Sequence, residues 1–105
     1  MQKLQFLYQL KLIPRLLDEK NWTDKENTTV AQHFTYLQDF HKEGKLILAG
    51  RTLQTDPFGI VIVEVETEEE ALDIMSNDPA VKEGIMEATL FPYKVALLRE
   101  NIQTS

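Results

Sequence analysis

The chain has 105 residues, 43% of them hydrophobic and 27% charged, the makeup of one globular domain with a single core rather than of a disordered chain. It contains no cysteine, which excludes disulfides, thiolate metal sites and a cysteine nucleophile and fits a cytoplasmic, reducing compartment. A net charge of −6, from 17 acidic and 11 basic residues with no basic stripe, argues against nucleic acid and anionic membranes as partners, and no apolar run approaches the roughly 20 residues of a membrane helix.

Leu4, Phe6, Tyr8, Leu10 and Leu12 alternate with Lys3, Gln5, Leu7, Gln9 and Lys11, the period of two that marks a strand with one strongly apolar face. Thr23, Asp24, Lys25 and Glu26 form a capping-box pattern that predicts a helix from Asp24 to about Glu43, ended by Gly44. Its expected apolar stripe is Val30, Phe34, Leu37 and Phe40, with Ala31 and Tyr36 at the margins. Lys45 to Gly50 reads as a short strand, Arg51 to Phe58 as a hairpin loop around Asp56-Pro57, and Ile60 to Glu66 as the next strand. Thr67 to Glu70 is a second capping-box pattern, opening a helix whose expected buried face is Ala71, Leu72, Ile74 and Met75. Asn77-Asp78-Pro79 breaks that helix and starts a short helical turn, and Met86 to Leu98 reads as the last strand. Residues 1–98 are therefore expected to form the single domain, and 99–105 a polar tail.

The order strand, helix, strand, strand, helix, strand predicts an α+β, ferredoxin-like βαββαβ domain. Its sheet has four antiparallel strands, with the first and third central, both helices on one face, and Pro92 on an edge strand where a missing N–H costs least. In the third strand Ile60 and Ile62 face one way and Val61, Val63 and Val65 the other, so both faces of the sheet need cover. A second copy of the chain is the expected cover for the face without helices, giving an isologous homodimer. Gln5, Leu7, Gln9 and Lys11 of the central strand point to that face, and such a polar row inside a dimer suggests a cavity that orients a small-molecule ligand through Gln5 and Gln9. The alternative is an open, solvated sheet.

Only His33 and His41 are suited to proton transfer near neutral pH. With Val30 at zero and about 100° per residue, His33 falls at about 300°, Phe34 at about 40°, Leu37 at about 340°, Phe40 at about 280° and His41 at about 20°. Both histidines thus lie within the expected buried stripe, where a satisfied, half-buried histidine is the structural alternative to a functional one. Asp78 before Pro79 has an equally good reading as a helix cap. Arg15 can anchor an anion or stand solvated in its loop, and Trp22 is expected to pack over the loop and the helix start. No glycine-rich phosphate loop, HExxH motif, serine elbow or histidine pair at metal spacing is present, so no metal or cofactor is expected.

The stretch His33-Phe-Thr-Tyr-Leu37, the run from Glu43 through Gly50-Arg51-Thr52, Glu69-Glu70-Ala71, Asp78-Pro79-Ala-Val with Gly84, and the closing Phe91-Pro92-Tyr93-Lys94 together resemble the YCII-related family over almost the whole chain. The resemblance implies a ferredoxin-like fold that dimerises into an α/β barrel, and an active site built on a helix histidine and the aspartate of an Asp-Pro pair, here His33 and Asp78. Related dimeric barrels include lactone isomerases, dehydrochlorinases and cofactor-free oxygenases. Gly50 and Arg51 of the matching stretch join Arg15, Gln5 and Gln9 as candidate substrate contacts, although the Arg15-to-Thr23 link is longer than in compact members. The enzyme reading is a cofactor-independent lyase, isomerase or hydrolase that moves a proton with a His33–Asp78 dyad. The alternative is a non-catalytic small-ligand-binding or regulatory dimer, or a structural domain in which both residues serve packing and capping.

Overall fold

The computed structural model describes residues 3–100. Its elements are β1 (Leu4–Leu12), α1 (Asp24–Lys42), β2 (Leu46–Arg51), β3 (Gly59–Val65), α2 (Glu68–Asn77), the short α3 (Pro79–Lys82) and β4 (Met86–Tyr93), with two 3₁₀ turns, Pro14–Leu17 and Glu19–Asn21, between β1 and α1. The sheet runs β2-β3-β1-β4 and every neighbouring pair is antiparallel. The ferredoxin-like α+β order is thus present, with β1 and β3 central and Pro92 on the edge strand β4.

Alternation along β1 sends Phe6, Tyr8 and Leu10 beneath the helices, where they meet Val61, Val63 and Val65 of β3, Leu37 of α1, and Ala71 and Ile74 of α2. A second apolar cluster joins Leu16 of the first 3₁₀ turn to Ala80 of α3 and to Ile85, with Trp22 and Val30 packed against it. Trp22 donates its indole N–H to the Leu16 carbonyl at 2.8 Å, which ties the long β1–α1 link to the helix start.

Both helix starts follow their sequence signals, though unequally. Thr23 caps α1 with a complete reciprocal box with Glu26. At α2 only half the box forms: the Thr67 hydroxyl accepts the Glu70 N–H at 3.1 Å, while the Glu70 carboxylate turns to the N–H of Glu66 and to Lys45 of the neighbouring chain segment. Gly44 ends α1 at φ +80°, a conformation that side chains with a Cβ rarely adopt.

Four sequence expectations are corrected. Phe34 is 61% exposed, because the buried and half-buried residues of α1 are Glu26, Thr29, Val30, His33, Tyr36, Leu37 and Phe40, an arc centred near His33 that Phe34 falls outside. His41, which lies beyond that arc, is exposed for the same reason. Leu72 is 46% exposed, since the short α2 buries only Ala71 and Ile74. Finally, β4 stops at Tyr93 rather than Leu98: Tyr93 pairs with Gln5, next to the first residue of β1, and among the described residues no partner strand continues beyond it. Of the predicted polar tail, residues 101–105 lie outside the described residues.

Candidate active site

Asp78 sits where α2 hands over to α3, and the sequence there leaves it little freedom. It is the C-cap of α2 and the N-cap of α3, with Pro79 supplying the first helical position that needs no donor. Its backbone carbonyl accepts the N–H groups of Val81 and Lys82 at 2.9 and 2.8 Å, and its side-chain Oδ1 accepts the Ala80 N–H at 3.0 Å. The residue is 0% exposed, so its carboxylate is held by backbone geometry inside the core.

Two further donors reach it. His33, in the middle of α1, places Nδ1 2.6 Å from Asp78 Oδ1, and the imidazole is 14% exposed where the carboxylate is fully covered. From the sheet below, the Tyr8 hydroxyl donates to Asp78 Oδ2 at 2.8 Å. A buried carboxylate would be costly alone, but here three donors from β1, α1 and α3 converge on it. An ionised Asp78 has no proton to donate and offers His33 only an acceptor. Nδ1 therefore carries the proton, and the lone pair of a neutral ring is left on Nε2.

The surrounding phenols are firm donors. Burial, and then the charge of Asp78, push the Tyr8 hydroxyl far above its ordinary range. Tyr36, one turn beyond His33, donates to the Ile74 carbonyl at 2.8 Å and is raised to about 12 by burial, with Asp78 and Asp73 adding to it. Tyr36 meets the ring of Phe40 edge-on at 4.9 Å, which fixes the α1 face that presents His33.

The remaining sequence candidates are not gathered at this pair. Gln5 and Gln9 lie on the opposite face of β1 from Tyr8, as the alternation of a strand requires. Gln5 is already engaged: its amide donates to Glu64 at 3.2 Å and its oxygen accepts the Val95 N–H at 2.6 Å. Arg15 stands half-exposed over the start of α1, 3.6 Å from the Glu26 carboxylate and 3.4 Å from the Asn21 carbonyl. Gly50 and Arg51 close the outer strand β2, which β3 separates from β1. Tyr8 is the participant that sequence reasoning missed. Its place on the apolar face of β1 marked it as core, and only its hydroxyl, inside a row otherwise made of Leu and Phe, signalled a partner.

Two open surface depressions flank the first helix. One, about 450 Å³, is lined by Asp24, Thr28, Gln32 and Glu83 among others; the second, about 470 Å³, by Leu12, Leu17, Trp22, Gln54 and Pro57 among others. Neither includes His33 or Asp78. Among the described residues no group of three or more His, Asp or Glu side chains stands where it could share a metal ion, and no helix is long and apolar enough to cross a membrane.

The family model of the YCII-related domain matches residues 12–93. Among solved structures, the chain is similar to the 5-chloro-2-hydroxyhydroquinone dehydrochlorinase of Burkholderia phenoliruptrix AC1100, determined in complex with 2,5-dihydroxybenzoquinone, at 22% identity and a TM-score of 0.65, over 86% of this chain and 93% of that one. It is also similar to an uncharacterized protein of Thermotoga maritima at 8% identity and a TM-score of 0.51, over 89% of this chain and 100% of that one. At these identities the likeness is one of fold. No curated protein matches in sequence.

Proposed function

The chain belongs to the family of YCII-related domains, and on that premise we propose that it is a cofactor-independent enzyme that moves a proton on a small hydroxylated or aromatic molecule. The observation that carries this reading is the 2.6 Å contact of His33 Nδ1 with a fully buried Asp78 carboxylate. A carboxylate on Nδ1 fixes the ring tautomer and compensates the imidazolium once Nε2 has taken a proton. The proton leaves the substrate as a new Nε2–H bond and is returned to the product or to the leaving group. The similar Burkholderia protein supports the choice of substrate class, since its name describes loss of hydrogen chloride from a hydroxylated ring and its structure holds a dihydroxybenzoquinone.

The working unit in this reading is a homodimer joined through the sheet face that the helices leave open. Phe91, Leu7, Ile62 and Leu48 are paired in register across all four strands on that face, a continuous apolar row of the kind that an isologous partner covers. The alternative is a ligand-binding dimer without turnover, in which the same site would hold a small molecule and His33 would only donate a hydrogen bond to it.

The test is a panel of small hydroquinones, their chlorinated forms and unsaturated lactones, followed by absorbance and by proton release. The expected result is turnover by the parent that falls about 10²–10⁴-fold in His33→Gln. Compounds that bind the parent and are released unchanged, with His33→Gln binding them equally well, would transfer the protein to the ligand-binding reading.

A further inference from the structure

The carboxylate of Asp78 has two oxygens, and the His33 contact explains one of them. Oδ1 serves His33 and the Ala80 N–H, whereas Oδ2 is given over to the hydroxyl of Tyr8 at 2.8 Å. Tyr8 and Asp78 are both 0% exposed, and the two are 70 positions apart in the chain. Packing alone does not call for a phenol here, because the other inward residues of β1 are Phe6 and Leu10. A phenylalanine would fill the ring's volume and leave Oδ2 without a donor.

We propose that Tyr8 is a positioning residue of the dyad, one that sets how much of Asp78's negative charge reaches His33. This rests on the proton-transfer reading and deepens it. A hydrogen bond to a carboxylate oxygen draws charge toward that oxygen. The Tyr8 hydroxyl therefore shares the charge that Oδ1 would otherwise direct at Nδ1–H, and it holds the carboxylate plane so that Oδ1 stays aimed at the ring. It also keeps the dyad's proton on histidine. When Nε2 accepts a proton the ring becomes an imidazolium, and the Nδ1 proton would pass to Asp78 if the carboxylate were the better base. Donors from Tyr8 and Ala80 hold the negative charge on both oxygens, and the ion pair persists until the proton is returned.

The groups that face this carboxylate are Tyr8 from β1, His33 and Tyr36 from α1, and the Ala80 N–H of α3; the Tyr36 hydroxyl is committed to the Ile74 carbonyl. Tyr8 alone among the phenols donates to the carboxylate. Burial keeps it protonated, and hence a donor, throughout the range in which histidine titrates.

The readout is the Nδ1–H proton of His33 in ¹⁵N-labelled protein, whose downfield position follows the strength of its hydrogen bond, with the exposed His41 as internal reference. Asp78→Asn replaces the charged acceptor with a neutral one and is expected to move the signal upfield. Ala80 N–H keeps the amide oxygen at the Oδ1 position, and the amide N–H₂ then donates to Tyr8. Tyr8→Phe is expected to move the signal the opposite way, downfield, because the charge returns to Oδ1. Incorporation of 3-fluorotyrosine, a more acidic donor of nearly the same shape, is expected to move it upfield, and it serves where Tyr8→Phe fails to fold. If Asp78→Asn shifts the signal and neither Tyr8 replacement does, the dyad stands and Tyr8 is a packing residue. If the parent has no downfield Nδ1–H, or Asp78→Asn leaves it in place, the dyad reading fails first, and the role of Tyr8 fails with it.

Discussion

His33 Nδ1 and Asp78 Oδ1 stand 2.6 Å apart across 45 positions of chain, and the contact pins the middle of α1 to the junction of α2 and α3. The junction is rigid for its own reasons, since Asp78 caps α3 and Pro79 begins it. A side chain that has to cap a helix cannot rotate freely, so the histidine meets an acceptor whose direction is set by backbone geometry. Function and folding therefore draw on the same carboxylate.

That sharing predicts unequal costs at position 78. Asp78→Ala removes the cap, worth about 1 kcal/mol, and leaves buried Tyr8 and His33 donors unmet at about 1–3 kcal/mol each. Unfolding in urea should show a loss of about 3–7 kcal/mol. Asp78→Asn retains an acceptor for Ala80 and His33 and can donate to Tyr8, so its loss should stay near 1–2 kcal/mol, the charge-assisted part of those bonds. Equal losses in the two variants would mean that the hydrogen bonds at this carboxylate contribute little beyond packing.

A separate carboxylate sets the response to acid. Glu26 accepts from the hydroxyl and then the backbone N–H of Thr23; against the opposing effect of burial, and with Arg15 helping, these hold its carboxyl at about 2, below the ordinary 4.5. A pKa lower in the folded than in the unfolded chain adds stability above the unfolded value, and the gain is lost as pH falls through the folded one. The capping box at the start of α1 should therefore weaken between about pH 4.5 and about pH 2. In denaturation curves taken across that window, Glu26→Gln should be less stable than the parent at pH 6 and should lose less stability on acidification. Parallel curves for the two proteins would show that the box does not carry this dependence.

The elements themselves were legible in the sequence because their signals are local. A period of two marked β1, and hydroxyl-x-x-carboxylate patterns marked both helix starts. The His33–Asp78 pairing was reached through a family resemblance. The wheel put His33 on the buried side of α1 but named no partner. What stayed hidden depended on distant contacts. Tyr8 reads as core until its hydroxyl is seen 2.8 Å from Asp78. Phe34 reads as buried because hydropathy places the stripe of α1 on its apolar residues, whereas the arc that faces inward carries Glu26 and Thr29, matched to Thr23 and Lys25 within their own turns, and His33, matched to the distant Asp78. Gln5 and Gln9 stand on the helix-free face of the sheet, where strand alternation from the apolar row of β1 places them, and not beside the dyad.

The sheet face opposite the helices gives the last prediction. Leu48, Phe91 and Tyr93 are 38%, 44% and 46% exposed there, and Leu7 is paired directly with both Phe91 and Ile62. Phe91 lies on the edge strand, so a charge at this position has solvent to turn to in a single chain and should leave the core under the helices intact. In an isologous dimer the same charge enters the interface twice, desolvated and without a counter-ion, which costs several kcal/mol. Phe91→Glu should therefore sediment as a folded monomer, with the parent's helical signal, at concentrations where the parent sediments as a dimer. A parent that is itself monomeric at tens of micromolar, or a Phe91→Glu variant that still pairs, would show that this face is not the dimer interface, and the cover for the apolar row would have to be sought in another partner.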